Sequence, residues 1–137
     1  MSIELNAIAK PKRDVWVAIK NGILGRCPKC GKGHLFQGYL KVQDSCANCG
    51  EDLYHHRADD APPYITMAIV GHIIVGIMLH LEMNYEIDPL IHLYWSLPTA
   101  LFSALLLLRP VKGMVIGLQW AKYMAGFNPN FSKNTDF

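Results

Sequence analysis

The chain has 137 residues, a formal net charge of +2 and a mean hydropathy of +0.14. This length allows one domain or a small domain joined to a membrane part, and so small a charge does not indicate nucleic-acid binding. The residues are unevenly distributed, because the first sixty are polar and hold all four cysteines, whereas residues 63–108 are largely apolar. The sequence therefore predicts a mainly α membrane protein with a polar N-terminal module.

Residues 1–25 are predicted to form a tail followed by a short amphipathic helix. Asp14 is a suitable N-cap, the helix would extend to about Asn21, and Gly22 would end it. Trp16 would lie on its apolar face, so we expect the helix either to rest on the membrane surface or to pack against the module that follows. The amino-terminal segment lacks the apolar core of a signal peptide, and we expect none.

Two CxxCG motifs, separated by fifteen residues, lie in the predicted module of residues 26–62. Cysteines two residues apart can both bind one tetrahedral ion at about 2.3 Å, and the following glycine allows a turn with positive φ. Two such pairs complete a shell of four thiolates. This spacing predicts a small zinc-ribbon-like module with one structural Zn²⁺ and no catalytic role. The predicted ligands are Cys27, Cys30, Cys46 and Cys49.

Other interpretations of the module remain open. Four thiolates could hold an iron–sulfur cluster, and a single CxxC pair could serve thiol–disulfide exchange, although two glycine-flanked pairs suit a shared metal better. Lys29, Lys32 and Lys41 with Phe36 and Tyr39 would suit RNA binding, but anionic lipid beside a membrane attracts lysines equally well. We therefore predict no nucleic-acid partner.

Two segments, roughly 64–81 and 90–108, contain no Asp, Glu, Lys or Arg. Each is close to the minimum length for crossing a hydrocarbon core of about 30 Å. Together they predict a two-helix transmembrane hairpin over residues 63–109, kinked at Pro98. A hairpin buried in a soluble protein is the alternative, but little else in so short a chain could cover it.

Residues 110–137 are predicted to contain an interfacial amphipathic helix over 110–127 and a polar tail. Apolar residues recur there at helical spacing, and Trp120 suits the headgroup region of a membrane. Gly113 and Gly117 are four residues apart, which would also allow close packing on another helix.

Basic residues indicate how the spans are oriented. Nine of the 13 Lys and Arg residues precede the first span, four follow the second, and none lies in the acidic loop between them. Because Lys and Arg stay on the cytoplasmic side, we predict that the acidic loop lies outside and that both termini are cytoplasmic. Thiols in that reducing compartment favour metal binding over disulfides. Asp59 and Asp60 would cap the first span at its cytoplasmic end.

Histidines in and near the spans suggest a second hypothesis. His72 would lie near mid-membrane, whereas His80 and His92 would lie at the outer face with Met83 and the acidic loop residues. The outer group could bind copper or a cationic partner, and His72 could ligate haem. The simpler interpretation is that His72 hydrogen-bonds across the hairpin and that the outer pair is merely interfacial.

Six stretches of the sequence follow one another in a characteristic order within residues 16–123. They are residues 26–36, 38–41, 46–50, 57–64, 71–72 and 108–113. Together they resemble the DUF983 family of small bacterial inner-membrane proteins. The resemblance implies a link to respiration, because genes of this family in many alphaproteobacteria lie among those for cytochrome c oxidase subunits and assembly factors.

We therefore predict a non-enzymatic, zinc-binding scaffold or assembly factor for a respiratory haem–copper oxidase. Its partners would be the lipid bilayer and oxidase subunits or assembly factors, and the sequence indicates no small-molecule substrate. One alternative is a copper- or haem-handling membrane protein that uses His72, His80 and His92. Another is an accessory subunit of a respiratory complex.

Overall fold

The computed structural model describes residues 11–54, 61–124 and 127. They form three helices, α1 (Val15–Ile23), α2 (Ala61–Asn84) and α3 (Pro89–Ala121). Residues 25–54, which we call the cysteine module, connect α1 to the part of the chain before α2. The predicted mainly helical class is confirmed at this level. The capping residues predicted for the first span, Asp59 and Asp60, lie outside the described residues.

The cysteine module contains no continuous strand in its described residues. Three isolated antiparallel bridges pair Arg26 with His34, Phe36 with Val42, and Ser45 with Asp52. Its small core consists of apolar side chains and two of the cysteines. The buried residues are Cys27, Leu35, Phe36, Val42, Cys46 and Leu53. This core is continuous with buried residues of α1 and α3, so the module does not stand alone.

The first helix begins where the sequence predicts and ends later. A carboxylate oxygen of Asp14 accepts hydrogen bonds from the backbone amides of Trp16 and Val17, at 3.0 and 3.3 Å, as an N-cap should. Gly22, predicted to end the helix, lies inside it. The terminating glycine is Gly25, whose φ of +71° suits the position just after a helix.

Gly22 is required for packing rather than for termination. It faces Gly113 of α3, and Ala18 faces Gly117, so α1 runs antiparallel to the last turns of α3. A Cβ atom at Gly22 would overlap the carbonyl oxygen of Gly113 and lie 2.7 Å from its carbonyl carbon. Small residues four apart on both helices therefore allow the two backbones to touch. The close packing predicted for Gly113 and Gly117 is confirmed, and α1 is the partner helix.

The third helix is longer than predicted. The second span (90–108) and the separate helix expected over 110–127 form one helix, Pro89–Ala121, which continues through Pro98 and Pro110. The prediction of a separate C-terminal helix is therefore wrong. A proline inside a helix costs about 3 kcal/mol, and burying one large apolar side chain recovers about 1.5–3 kcal/mol. Several are buried beyond Pro110, namely Val111, Val115, Ile116 and Trp120.

The two long helices are joined by residues 85–88 and pack on each other. On α2, Thr66, Val70 and Ile74 form a buried row at four-residue spacing. On α3, His92 and Ser96 are buried. The contact uses one face of each helix, and most other side chains of α2 and of residues 89–108 are exposed.

Both helices are long and apolar enough to cross a membrane. At 1.5 Å per residue, α2 is about 36 Å long and residues 89–108 of α3 about 30 Å, which matches a hydrocarbon core. Most apolar side chains outside the contact are exposed, including Tyr94 at 81% and Phe102 at 67%. A soluble hairpin would need a cover for these side chains that the described residues do not supply.

Candidate metal centre

Each cysteine pair lies in a turn that ends at a glycine with positive φ. Gly31 has a φ of +68° and Gly50 one of +74°. The amide of Gly31 donates to the carbonyl of Cys27, and the amide of Gly50 donates to that of Cys46, both at 2.9 Å. The two turns are therefore equivalent, and both glycines are required by the left-handed backbone that the CxxCG motif predicted.

The four sulfurs have the spacing of a single tetrahedral metal site. Sγ of Cys27 lies 3.7 Å from Sγ of Cys49, Sγ of Cys30 lies 3.7 Å from Sγ of Cys46, and all four lie within 4.8 Å of one another. Sulfurs bound at about 2.3 Å to one ion are about 3.8 Å apart in a tetrahedron. A disulfide needs about 2.05 Å, and an iron–sulfur cluster spreads its cysteines over several irons. The residues present fit one ion.

The thiols have unequal acidities. Burial raises the pKa of the Cys27 and Cys49 thiols. The pKa of Cys30 falls to about 6, because the backbone amides of Gly33 and Lys32 donate hydrogen bonds to its sulfur. Four thiolates this close would repel one another strongly without a cation. The donor set is therefore suited to a metal that binds thiolates and releases their protons.

Gly33 is a site residue that the sequence analysis missed. Its amide donates to Sγ of Cys30 at 3.5 Å, and its carbonyl accepts from the amide of Cys27 at 2.8 Å. A Cβ atom on Gly33 would overlap Sγ of Cys46. The sequence does contain this glycine two residues after the first CxxCG motif, but spacing alone does not show which atoms the glycine contacts.

We predict that Gly33→Ala weakens metal binding. The added methyl group would push Sγ of Cys46 out of the tetrahedron or displace the first turn, and shape changes of this kind in a packed interior cost about 1–3 kcal/mol. Competition with a zinc chelator should show about a tenfold or greater loss of affinity, because about 1.4 kcal/mol corresponds to a factor of ten.

Gly38→Ala is the matched control in the same module, because a Cβ at Gly38 meets no atom within 4 Å. It should retain the affinity of the unsubstituted protein. Equal metal affinity in the Gly33 and Gly38 variants would show that the sulfurs are not packed against Gly33.

Glu51 connects the metal centre to α3. Its carboxylate accepts a hydrogen bond from Lys29 Nζ at 2.8 Å and one from the indole Nε1 of Trp120 at 3.0 Å. Burial raises the pKa of the Glu51 carboxyl, but these two hydrogen bonds outweigh it and hold that pKa below its ordinary value. Glu51 follows the second CxxCG motif directly, so the position of that turn is coupled to Trp120.

Arg13 adds the segment before α1 to the same cluster. Its guanidinium lies 4.0 Å from the ring centres of both Trp120 and Tyr123, and it donates to the carbonyl of Trp120 at 2.6 Å. It also lies 3.8 Å from Glu51. Stacked arginines of this kind contribute packing as well as charge. The sequence analysis counted Arg13 only among the nine basic residues before the first span and missed this role.

The cysteine module also contacts α3 at the end of its apolar segment. The guanidinium of Arg109 lies 5.3 Å from the ring centre of Phe36, and the hydroxyl of Tyr39 donates to the carbonyl of Leu105. The metal centre is therefore held beside the end of the candidate span rather than on a separate unit.

The histidines do not assemble into a second metal centre in the described part of the chain, where only the four cysteines form a candidate group. His92 is buried, and its Nε2 lies 3.1 Å from a carboxylate oxygen of Glu82. His80 is exposed, as is Met83 at 85%. The ring of His72 is exposed on α2 and hydrogen-bonds through Nδ1 to the carbonyl of Ala68 at 2.6 Å, not to α3 as expected.

Comparisons with known proteins agree with the predicted family. No curated protein and no solved structure matches the chain. The model of one family, described as "Protein of unknown function (DUF983)", matches residues 36–120. The match covers the second cysteine pair, α2 and nearly all of α3, and it begins after Cys27 and Cys30. Because it spans more than half of the sequence, the chain belongs to the DUF983 family.

Proposed function

We propose that this protein is a non-enzymatic membrane scaffold whose cytoplasmic module is folded around one structural zinc ion. The observation that carries the proposal is the group of four sulfurs within 4.8 Å of one another. Four thiolates complete the coordination shell of zinc, so no position is open for a substrate or an activated water. The ion would supply folding free energy that the few apolar residues of the module do not.

The proposal places α2 and the first part of α3 across a bacterial inner membrane, with both termini in the cytoplasm. The distribution of Lys and Arg supports this orientation, because all 13 lie outside the loop between the spans. Arg109, beside Phe36 of the cysteine module, would mark the cytoplasmic boundary. The cysteines would then lie in a reducing compartment that favours metal binding.

We further propose that the scaffold holds a membrane subunit during assembly of a respiratory haem–copper oxidase. Two features support this role: the gene association of the family, and the largely uncovered faces of α2 and α3, which offer surface to client helices. A rigid metal module beside the spans would fix the position of those helices relative to the cytoplasm.

Capture from native membranes tests this role. We expect the tagged protein, after mild solubilisation, to co-purify with oxidase subunits or assembly factors. The amount of tagged protein bound to active oxidase should be substoichiometric. Cys27→Ser should reduce this recovery if the module is needed for binding, whereas Ser45→Ala, next to Cys46, should not. Recovery of no respiratory subunit contradicts the oxidase role, and stoichiometric co-purification with active enzyme indicates an accessory subunit instead.

The second candidate function, haem or copper handling, has one observation in its favour. If Nδ1 of His72 donates to Ala68, Nε2 carries a lone pair directed away from that carbonyl and able to bind a metal. The scaffold proposal predicts that His72→Ala leaves the metal content and the visible spectrum of the purified protein unchanged. Loss of a haem spectrum or of copper in this variant would favour the second candidate.

A further inference from the structure

The first helix has a second apolar face, opposite the one that contacts α3. Trp16 is 82% exposed and Leu24 57%, although both are large apolar side chains. They belong to a shallow groove that we call the outer face of α1. Its lining residues are Trp16, Val17, Ile19, Lys20, Ile23 and Leu24. One face of this helix packs on α3 and the other remains uncovered in the described structure, so the packing leaves a face free for the predicted location at the membrane surface.

The outer face begins close to the end of the candidate span. The contact between Gly22 and Gly113 places the C-terminal end of α1 about one turn, or about 6 Å, beyond Arg109. The headgroup layer of a bilayer extends about 5–8 Å beyond the hydrocarbon core on each side. Pro110 follows Arg109 directly, and a proline inside a helix allows the axis to bend. Because Ala18 lies against Gly117, the other end of α1, with Trp16, would be about 15 Å beyond Arg109 along a straight helix, so its placement in the headgroup layer requires a bend at Pro110 that turns α1 and the last part of α3 towards the membrane plane.

We propose that the outer face of α1 lies in the headgroup layer of the cytoplasmic leaflet and binds anionic lipid. Charge complementarity supports this partner: Lys20 lies within the apolar groove, and Arg26 is exposed just beyond its end. The nearest acidic side chain along the helix, Asp14, is engaged as the N-cap. An apolar face with a tryptophan and flanking cations is the pattern of interfacial helices.

Tyr39 of the cysteine module lies at the level of the end of the candidate span. It is 49% exposed while its hydroxyl donates to the carbonyl of Leu105, four residues before Arg109. Tyrosine with its ring exposed at this level is typical of the aromatic belt of membrane proteins. The inference rests on the proposed crossing of the membrane by α2 and α3, but not on the zinc ion or the oxidase.

Quenching of tryptophan emission in lipid vesicles tests the inference with the full chain. The vesicles contain phosphatidylcholine, phosphatidylglycerol and lipids brominated near the headgroup, and the difference from Trp16→Phe isolates the emission of Trp16. We expect brominated lipid to quench this emission and aqueous iodide to leave it largely unchanged. Trp95, isolated in the same way with Trp95→Phe, reports whether the spans are inserted and should also be quenched by brominated lipid.

The outcomes separate the two proposals. Quenching of Trp16 by iodide but not by lipid, with Trp95 quenched by lipid, overturns the inference and leaves the membrane spans in place. Failure to quench either tryptophan with lipid overturns the membrane placement itself. Shielding of Trp16 from both quenchers, together with cross-links between copies, overturns the inference in favour of a dimer contact.

Lipid charge provides a second readout. When phosphatidylglycerol is omitted, we expect brominated lipid to quench Trp16 less. Lys20→Glu should reduce the quenching by the same amount in vesicles that contain phosphatidylglycerol. Lys122→Glu is the matched control, because Lys122 is exposed at the end of α3 and does not line the groove. Identical quenching for the Lys20 and Lys122 variants would contradict anionic lipid as the partner.

Discussion

Replacing Gly113 with leucine is expected to separate α1 from α3 and to destabilise severely the part of the protein formed by α1, the cysteine module and the end of α3. Any side chain at this position overlaps the carbonyl oxygen of Gly22, and backbone cannot move aside as a flexible side chain can. Overpacking in a well-packed interior typically costs about 1–3 kcal/mol, and we expect the upper end of that range. Thermal unfolding in detergent should begin at a lower temperature, and proteases should reach α1 at temperatures where it is normally protected.

The matched control is Gly76→Leu. Gly76 lies in α2, and a Cβ there meets no atom within 4 Å. The same substitution should therefore leave the unfolding temperature and the protection of α1 unchanged. Unaltered melting of the Gly113 variant would show that the two helices are not in backbone contact.

Cys27→Ser is expected to abolish stoichiometric zinc binding and to unfold the cysteine module. A serine hydroxyl is a poor zinc ligand, and the binding free energy of a structural zinc site is about 10–16 kcal/mol at neutral pH. The module has only a few large apolar side chains in its core, chiefly Leu35, Phe36 and Leu53. Loss of the ion should therefore expose residues 25–54 to proteases, while the helix content from α2 and α3 is retained.

Metal content and limited proteolysis of the purified variant measure this effect. Ser45→Ala serves as the control, because it changes an exposed residue next to Cys46 without removing a ligand. A Cys27 variant that keeps a full equivalent of zinc and resists proteolysis would show that this sulfur is not a ligand.

Loss of the ion should also weaken the packing of the cysteine module on α1 and α3. Glu51 accepts hydrogen bonds from both Lys29, inside the first cysteine turn, and Trp120 on α3. Arg13 stacks on Trp120 and connects the segment before α1 to the same carboxylate. Through these contacts, the metal centre positions α1 as well as its own turns.

The grouping of the four cysteines and the approximate long apolar helices could be predicted because their signals are local. A CxxCG motif determines a turn within five residues, and a long uncharged apolar segment predicts a long apolar helix. The N-cap at Asp14 is equally local. These features depend on short-range geometry and solvation, which a single stretch of sequence contains.

The remaining features depend on contacts between distant parts of the chain. A glycine such as Gly22 commonly ends a helix. Its contact with Gly113 of α3 explains why it lies inside α1 instead. Pro110 would be expected to end a helix, but burial of the following residues outweighs its cost. Glu51 and Arg13 resemble ordinary surface charges, and their partner Trp120 lies more than sixty residues away in sequence.

The central claim is that four sulfurs hold a single zinc ion, and metal analysis of the purified full-length protein combined with X-ray absorption spectroscopy tests it most directly. We predict one zinc per chain, coordinated by four sulfurs at about 2.3 Å. A protein without metal whose cysteines are joined in disulfides would contradict the claim, and so would an iron–sulfur cluster in the same site.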